Sequence, residues 1–231
     1  MQNEIVKKET EYAVESSNLA ESLGEEMQGL NITFDRIKVP SGGGLAYEVP
    51  GDNPEEPDLE KEFEAVILYH HPMLSYYKEK YNGANEAPNC SSIDGITGID
   101  RDTGEMKSCK GCPFNEFGSG ENGGKACKVK RRIFLLRKGE ALPVVFALPT
   151  TSVGDFSKYI MRIVSKGRKS NQVVTKFSLK KVQNSGGITY SKVVVSQVRE
   201  LNDIEQKSID SLSAQLKAIA KNLQENYENE E

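Results

Sequence analysis

The chain of 231 residues has no tryptophan, two histidines, and no apolar run approaching the roughly 20 residues of a membrane-spanning helix. A P-loop, a GxSxG elbow and an HExxH motif are also missing, so the usual sequence signals of nucleotide hydrolysis, ester cleavage and zinc peptidase chemistry are not found. The chain does not begin with an apolar segment followed by a small-residue cleavage site. We therefore expect a soluble, cytoplasmic protein that is not an enzyme.

Acidic and basic side chains are unevenly distributed along the chain, although the formal net charge is only −4. Residues 1–65 carry 16 acidic and 5 basic side chains, whereas residues 128–192 carry 2 acidic and 15 basic ones. A strongly basic segment within an acidic chain is typical of a surface that binds a polyanion. Residues 128–192 are therefore the candidate segment for such a surface.

Cysteine is confined to one stretch, since Cys90, Cys109, Cys112 and Cys127 lie within 38 residues. The two-residue spacing of Cys109 and Cys112 lets two thiolates bind one ion from a tight turn, and the other two cysteines would complete a tetrahedron. The intervening residues are rich in Gly, Asn, Ser and Asp and too poor in apolar side chains to offset their ordering entropy with a core. We predict one structural Zn²⁺ on these four cysteines, with disulfides or free thiols as the alternatives.

The two histidines, His70 and His71, are adjacent at the end of a predicted strand. Neighbouring strand residues point to opposite faces, so the two rings cannot reach one ion without a bulge. A structural or surface role is the prediction for both, and replacement of a cysteine ligand by one of them is the alternative.

Apolar residues alternate with polar ones over much of the chain, which predicts a mainly β protein. Hairpins are predicted within residues 32–49, 131–149 and 173–198, and a long strand begins at Phe63. This order best matches a small, partly open β-barrel of the OB type with a zinc-stapled insertion.

Two helices interrupt or follow the strands. The first is predicted after Ser152, with Asp155 three residues on as in a capping box and Gly167 beyond its end. Its predicted apolar stripe is Val153, Phe156, Ile160, Ile163 and Val164. The second is a C-terminal helix over residues 201–223, whose short apolar stripe fits docking on the body as well as homo-oligomer formation.

The predicted organisation has four parts. Residues 1–31 form an acidic, mobile or weakly helical arm, and residues 32–200 form an OB-like nucleic-acid-binding domain that contains a zinc subdomain at 88–128. The C-terminal helix follows, and residues 224–231 form an acidic tail.

OB barrels bind single strands in a cationic groove, where aromatic rings stack on the bases. The candidate cations for phosphate contacts are Lys128, Lys130, Arg131, Arg132, Arg137, Lys158, Arg162, Lys166, Arg168, Lys169, Lys176, Lys180 and Lys192. The candidate rings for stacking are Tyr69, Tyr76, Tyr77, Phe114, Phe117, Tyr159 and Tyr190.

The basic middle, the cysteine pattern with Cys109-Lys-Gly-Cys112-Pro-Phe, and the terminal Glu228-Asn-Glu-Glu together resemble single-stranded DNA-binding proteins of bacteriophage replication systems. The resemblance covers the organisation of residues 32–198 and the last eight residues. It implies a protein of the host cytoplasm that coats and protects single strands during DNA replication or recombination. It also implies that the tail recruits replication or recombination proteins, through Glu228, Glu230 and Glu231. The tail departs from the family pattern because it lacks a terminal phenylalanine.

Two other classes stay open on the sequence. A zinc-containing nucleic-acid enzyme such as a nuclease would need an open metal site with a general base, which four cysteines without a nearby histidine do not favour. A non-enzymatic scaffold protein would use the basic surface for an acidic protein partner. RNA is not excluded as the ligand, because stacking and phosphate contacts do not read the sugar.

Overall fold

The structure of the chain is a computed structural model. It describes residues 11–13, 19–28, 30, 33–51, 53, 56–79, 87–184 and 186–223. Within these residues the strands are β1 (Arg36–Ile37), β2 (Tyr47–Val49), β3 (Asp58–Glu60), β4 (Glu62–Tyr76), β5 (Cys90–Ser92), β6 (Thr97–Asp100), β7 (Met106–Ser108), β8 (Lys128–Arg137), β9 (Val144–Leu148), β10 (Val173–Gln183) and β11 (Thr189–Glu200). The α-helices are α1 (Leu19–Glu26), α2 (Thr150–Ser165) and α3 (Asp203–Leu223).

The long strand β4 is the centre of a nine-stranded mixed sheet in the described part of the chain. Along one side β4 pairs antiparallel with β8, which leads through β9 to the parallel strand β1. Along its other side the first half of β4 pairs with β10 and the second half with β5. Strand β10 continues to β11, and β5 continues through β6 to β7, so the sheet forks beyond β4.

The sheet does not close into a barrel within the described residues. Strands β1 and β7 end the path, and β11 pairs with β10 alone. The mainly β class is confirmed, but the predicted OB-type barrel is not found in this part of the chain. The physical reason is the length of β4. Its two halves pair with different strands, β10 and β5, which lead away from each other and do not return to pair with β1.

The predicted hairpins have different outcomes. Strands β8 and β9 pair as predicted, and so do β10 and β11. The hairpin predicted within residues 32–49 is reduced to a single bridge between Lys38 and Glu48, because β1 pairs with β9 and β2 pairs with β3.

Both faces of the sheet are covered in its wider half. On one face, α2 packs on a cluster that contains Phe63, Phe146 and Phe177. On the other face, α3 packs on a second cluster with Phe134 and Leu136. Strands buried on both faces read as continuous apolar runs, which explains the run from Ile133 to Leu136 in β8.

Helix α2 begins at Thr150, two residues before the predicted cap. Pro149 is its N-cap residue and makes no side-chain capping hydrogen bond. The hydroxyl of Ser152 is instead buried and accepts a hydrogen bond from the backbone N–H of Val193 at 3.0 Å. The predicted capping box is therefore not formed, and the Ser152 hydroxyl ties the first turn of α2 to β11.

The chain near the N-terminus contacts α3. Tyr12 is buried in the second cluster, and its backbone N–H donates to Glu205 Oε1 at 3.3 Å. Glu205 is fully buried and is paired with Arg199, whose Nη1 lies 2.7 Å from Glu205 Oε2. This part of the predicted arm is thus packed against the body. The acidic tail 224–231 lies outside the described residues. None of the helices in the described residues is long and apolar enough to cross a membrane.

Candidate nucleic-acid interface

The four cysteines converge on one cavity of about 200 Å³ in the cysteine lobe, which we define as residues 88–128. Cys90 begins β5, and the other three lie on the turns around β7 and before β8. A Cβ atom added at Gly98 would lie 3.0 Å from Cys90 Sγ and 3.5 Å from Cys109 Sγ, so glycine leaves room for both sulfurs. Gly111 has a φ of 76° between Cys109 and Cys112, a conformation that glycine adopts without strain.

Backbone hydrogen bonds fix the cysteine turns. Cys109 N–H donates to Ile96 O at 2.8 Å, and Cys127 N–H donates to Phe114 O at 2.7 Å. The Asn115 side chain donates to Cys109 O at 3.0 Å. These contacts hold the turns in place and orient the thiols towards the shared cavity.

All four cysteines are free thiols in the structure. Burial, together with the neighbouring cysteines, raises the pKa of the Cys127 thiol to about 11. Burial also raises the pKa values of the Cys90 and Cys109 thiols. Within the described residues, no three His, Cys, Asp or Glu side chains stand in metal-binding geometry. The thiols therefore share a cavity of the right chemistry for zinc without the tight tetrahedron that a bound ion imposes.

The histidines lie on opposite faces of the sheet, as predicted. His70 meets Phe156 of α2, with ring centroids 5.3 Å apart, and its Nδ1 accepts a hydrogen bond from Arg131 Nε at 2.9 Å. Burial, with the charge of Arg131 adding to it, lowers the pKa of His70 to about 4. His71 packs on the other face against Tyr69, with ring centroids 5.6 Å apart.

Five of the thirteen candidate cations form ion pairs with carboxylates of the described residues. Arg137 pairs with Glu60 at 2.8 Å, Arg168 with Glu200 at 2.6 Å, and Lys176 with Glu62 at 2.5 Å. The other two are Lys158 and Lys192, which share Asp155. Neutralised cations have less to gain from a phosphate than unpaired ones, so the unpaired ones are the better candidates.

Most of the other candidates form two groups on different parts of the body. In β8, Lys128 and Lys130 lie on the face opposite to α2. Side chains alternate along a strand, so every second residue from Lys128 onwards shares one face, and Phe134 on that face packs beneath α3. Arg132 belongs to this series and is 8% exposed. The second group lies along α2 and contains Arg162, Lys166 and Lys180, none of which forms an ion pair within the described residues.

The second group lines a surface that we call the α2–β11 groove. Its two sides are formed by Lys158, Arg162 and Lys166 and by Lys180, Val194, Val195 and Gln197. Lys158, Arg162 and Lys166 are four residues apart, so they share one side of the helix at a rise of about 6 Å each. Lys180 of β10 lines the same pocket as Lys158 and Arg162, together with Val194 and Val195 of β11. Lys166 Nζ donates to Gln197 Oε1 of β11 at 3.3 Å. Lys169 lies at the short turn beyond α2, where its backbone N–H donates to Gln172 Oε1 at 2.9 Å.

Several candidate rings are structural. Tyr159 is 6% exposed and its hydroxyl is hydrogen-bonded to Thr175 at 2.6 Å. Tyr69 stacks on Phe134, and Lys217 Nζ lies 5.8 Å from the centre of its ring. Neither ring presents an open face to a base.

Two of the rings on the surface belong to the cysteine lobe. Phe114 is 44% exposed and stacks on Tyr76 at 4.1 Å between ring centroids. Phe117 is 81% exposed, and Lys125 Nζ lies 5.0 Å from the centre of its ring. Tyr77 lies at the end of β4 and Tyr190 in β11, both partly exposed.

Sequence reasoning missed two residues of the groove. Asp155 was assigned to helix capping, yet its Oδ2 lies 2.8 Å from Lys192 Nζ, and it is the one acidic side chain that lines the pocket. Nothing in the sequence pattern indicates a role for Gln197 in the groove, because polar residues are common on edge strands. The i, i+4 spacing of the three α2 cations was a usable signal, since it predicts one cationic side of the helix.

The chain matches no protein-family model, no curated protein and no solved structure.

Proposed function

We propose that this protein binds single-stranded DNA without sequence preference, and that the α2–β11 groove holds the phosphates. The observation that carries the proposal is the convergence in this groove of Lys158, Arg162, Lys166, Lys180 and Lys192 from three elements, with Asp155 as the acidic side chain of the pocket. The protein would coat and protect single strands in DNA replication or recombination, as the resemblance to bacteriophage proteins implies.

The physical case for the proposal rests on the positive charge of the groove and on the sequence independence of phosphate contacts. A groove with several unneutralised cations attracts any polyanion, and a strand that replaces condensed counterions gains free energy from their release. Phosphate contacts carry no sequence information, so binding through them is sequence-tolerant. The exposed rings Phe114 and Phe117 are candidates for base stacking, each worth about 1–3 kcal/mol when a base stacks on it. An OB-type barrel is not required for this function, since a cationic groove can hold the phosphates without one.

A fluorescence anisotropy titration against oligo-dT, duplex DNA and RNA of equal length tests the proposal. We expect the tightest binding to a single strand, and about tenfold weaker binding when Lys180→Gln or Arg162→Gln removes a charge-assisted phosphate contact. Lys207→Gln is the matched control, because Lys207 is an exposed lysine of α3 that forms no ion pair within the described residues. Equal losses in all three variants would show that net charge, and not the groove, governs binding.

One structural Zn²⁺ on Cys90, Cys109, Cys112 and Cys127 is the second part of the proposal. The four thiols fit the group, because they share one cavity and thiolates are preferred ligands of zinc. The ion would cross-link four points of the lobe and would have no catalytic part, since four thiolates close its coordination. Elemental analysis of the purified protein is expected to give one zinc per chain. Two disulfides and no metal would contradict this part of the proposal.

The acidic tail is the proposed contact for replication or recombination proteins, through Glu228, Glu230 and Glu231. A chain that ends at residue 223 is expected to keep its affinity for oligo-dT and to lose binding to such a partner. Loss of oligo-dT binding in the shortened chain would assign the tail a structural role instead.

A further inference from the structure

The α2–β11 groove contains a half-open pocket of about 160 Å³, lined by Asp155, Lys158, Tyr159, Arg162, Lys180, Val194 and Val195. We infer that this pocket is a site for a single phosphate group, and that the Asp155 carboxylate pairs with lysines of the site until a phosphate binds. The inference rests on the proposed function, because it specifies which part of the groove takes a phosphate and what that phosphate displaces.

The charge around the pocket is strongly unbalanced. Lys158, Arg162 and Lys180 line it, and Lys192 reaches its edge through Asp155, so four cations face one carboxylate. By contrast, two cations elsewhere in the described residues each meet two carboxylates. Lys107 meets both Asp100 and Glu105, and Arg137 meets both Glu60 and Glu140. A cluster of like charges is relieved by an anion, so this pocket has an unmet demand for negative charge.

The pocket is large enough for a single phosphate group but too small for a whole nucleotide. Pockets for drug-sized ligands have about 300–1,000 Å³, which is well above the 160 Å³ found here. A phosphate with a few bound water molecules fits this volume. The two valines and the ring of Tyr159 form an apolar part of the lining, and Tyr159 has its hydroxyl committed to Thr175. An apolar lining leaves less water to compete with the cations for the phosphate oxygens.

Asp155 is the resident anion of the pocket. Its Oδ2 lies 2.8 Å from Lys192 Nζ, and its Oδ1 lies 4.0 Å from Lys158 Nζ. The hydrogen bond from Lys192 holds the pKa of this carboxyl below its usual value, so it stays ionised at neutral pH. A phosphate offers more acceptor oxygens than a carboxylate and can engage Arg162 in a bidentate pair. It would therefore compete with Asp155 for the lysines and bring Arg162 and Lys180 into use.

Removal of the Asp155 carboxylate distinguishes a phosphate site in this pocket from a general attraction of phosphate to the positive charge of the surface. Asp155→Asn keeps the shape of the side chain and is expected to strengthen phosphate binding about two- to fivefold, because one surface ion pair no longer competes. Glu200→Gln is the matched control, since Glu200 is also a half-exposed carboxylate paired with a cation, Arg168, and its loss changes the net charge equally. Arg162→Gln is expected to weaken phosphate binding about tenfold.

The experiment titrates the full chain with inorganic phosphate, at an ionic strength held constant with chloride, and follows the amide resonances of Val194 and Val195 by NMR. A saturable shift that tightens in Asp155→Asn, weakens in Arg162→Gln and is unchanged in Glu200→Gln supports the inference. An absent shift, or equal changes in Asp155→Asn and Glu200→Gln, overturns it. Amide spectra of each variant confirm that the fold is retained.

Two oligo-dT strands, with and without a 5′-phosphate, then identify the source of the phosphate. Tighter binding of the phosphorylated strand places a terminal phosphate in the pocket, and equal binding places an internal phosphodiester there. The inference and the proposed function fail in different ways. If inorganic phosphate binds the pocket but oligo-dT does not bind the protein, the proposed function fails and the pocket stands. If oligo-dT binding weakens in Arg162→Gln as the proposed function expects, but inorganic phosphate shifts nothing, the pocket fails and the function stands.

Discussion

The body of the protein and its cysteine lobe obtain their order from different sources. Among the described residues, the two faces of the body bury clusters of 17 and 11 residues, whereas the cluster in the lobe has three, Leu74, Cys109 and Cys127. Burial of apolar surface contributes about 25 cal/mol per Å², so the body can offset its ordering entropy and the lobe cannot. The proposed Zn²⁺ would give the lobe a cross-link in place of a core, and on this account the following changes should affect one region without the other.

Removal of the proposed Zn²⁺ is expected to have the largest effect, confined to the lobe. Structural zinc stabilises isolated zinc-finger peptides by about 10–16 kcal/mol, and residues 88–128 have no core to replace it. After treatment with a chelator, amide hydrogen exchange should accelerate throughout the lobe, while β8 to β11 stay protected. Zinc added back in excess is the control and should restore protection. Exchange that accelerates equally in both regions would remove the distinction between them.

Truncation of a core ring should have the converse effect. Phe146 is fully buried among Tyr47, Phe63 and Phe177, so Phe146→Ala is expected to lower the free energy of unfolding of the body by about 3–5 kcal/mol. Phe117→Ala is the control, because that ring is 81% exposed in the lobe and its loss should cost less than about 0.5 kcal/mol. Urea unfolding followed by circular dichroism measures both. A loss below 1 kcal/mol in Phe146→Ala would mean that the first cluster does not hold the body together.

Acidification should weaken the body through His70, which is half-buried in its neutral form. Its pKa is lowered from 6.5 to about 4, so between these values the unfolded chain binds a proton that the folded chain does not. The stability conferred by the neutral ring is fully present above pH 6.5 and declines as the pH falls towards 4, by at most about 3 kcal/mol.

The measurement is urea unfolding at pH 7 and at pH 5. His70→Gln, which can still accept the hydrogen bond from Arg131, should remove most of the difference between these pH values that arises from this site. A pH dependence that is the same in His70→Gln and wild type would assign the acid sensitivity to other groups.

Local patterns in the sequence predicted the strands and helices better than their assembly. The alternating pattern of β10 puts Val173, Phe177 and Leu179 on one side, and the structure has them on a core face. The same pattern puts Val174 on the other side with Lys176 and Lys180, yet Val174 is buried beneath α3. The packing of a helix that begins 29 residues later cannot be inferred from the period of a strand. The same limit applies to the barrel, because closure depends on which strands pair with each half of β4.

The candidate site shows the same division. The cysteines could be grouped from their spacing, because a short segment holds all four and its loops lack apolar residues. The cations of α2 could be assigned to one side of the helix, but Lys180 joins them only through the packing of α2 beside the β10–β11 hairpin. Tyr159 could not be separated from the exposed rings, because the partner of its hydroxyl, Thr175, lies on another element. Long-range contacts of this kind decide which of the thirteen cations remain unpaired.

The salt dependence of oligo-dT binding tests the central claim, binding of a single strand in the α2–β11 groove, most directly. In wild type the logarithm of the affinity should fall linearly with the logarithm of the salt concentration, with a slope of about −0.7 for each phosphate that the protein neutralises. Arg162→Gln should make this slope shallower by about 0.7, and Lys207→Gln should leave it unchanged. Salt-independent binding, or one common slope for all three proteins, would contradict the claim.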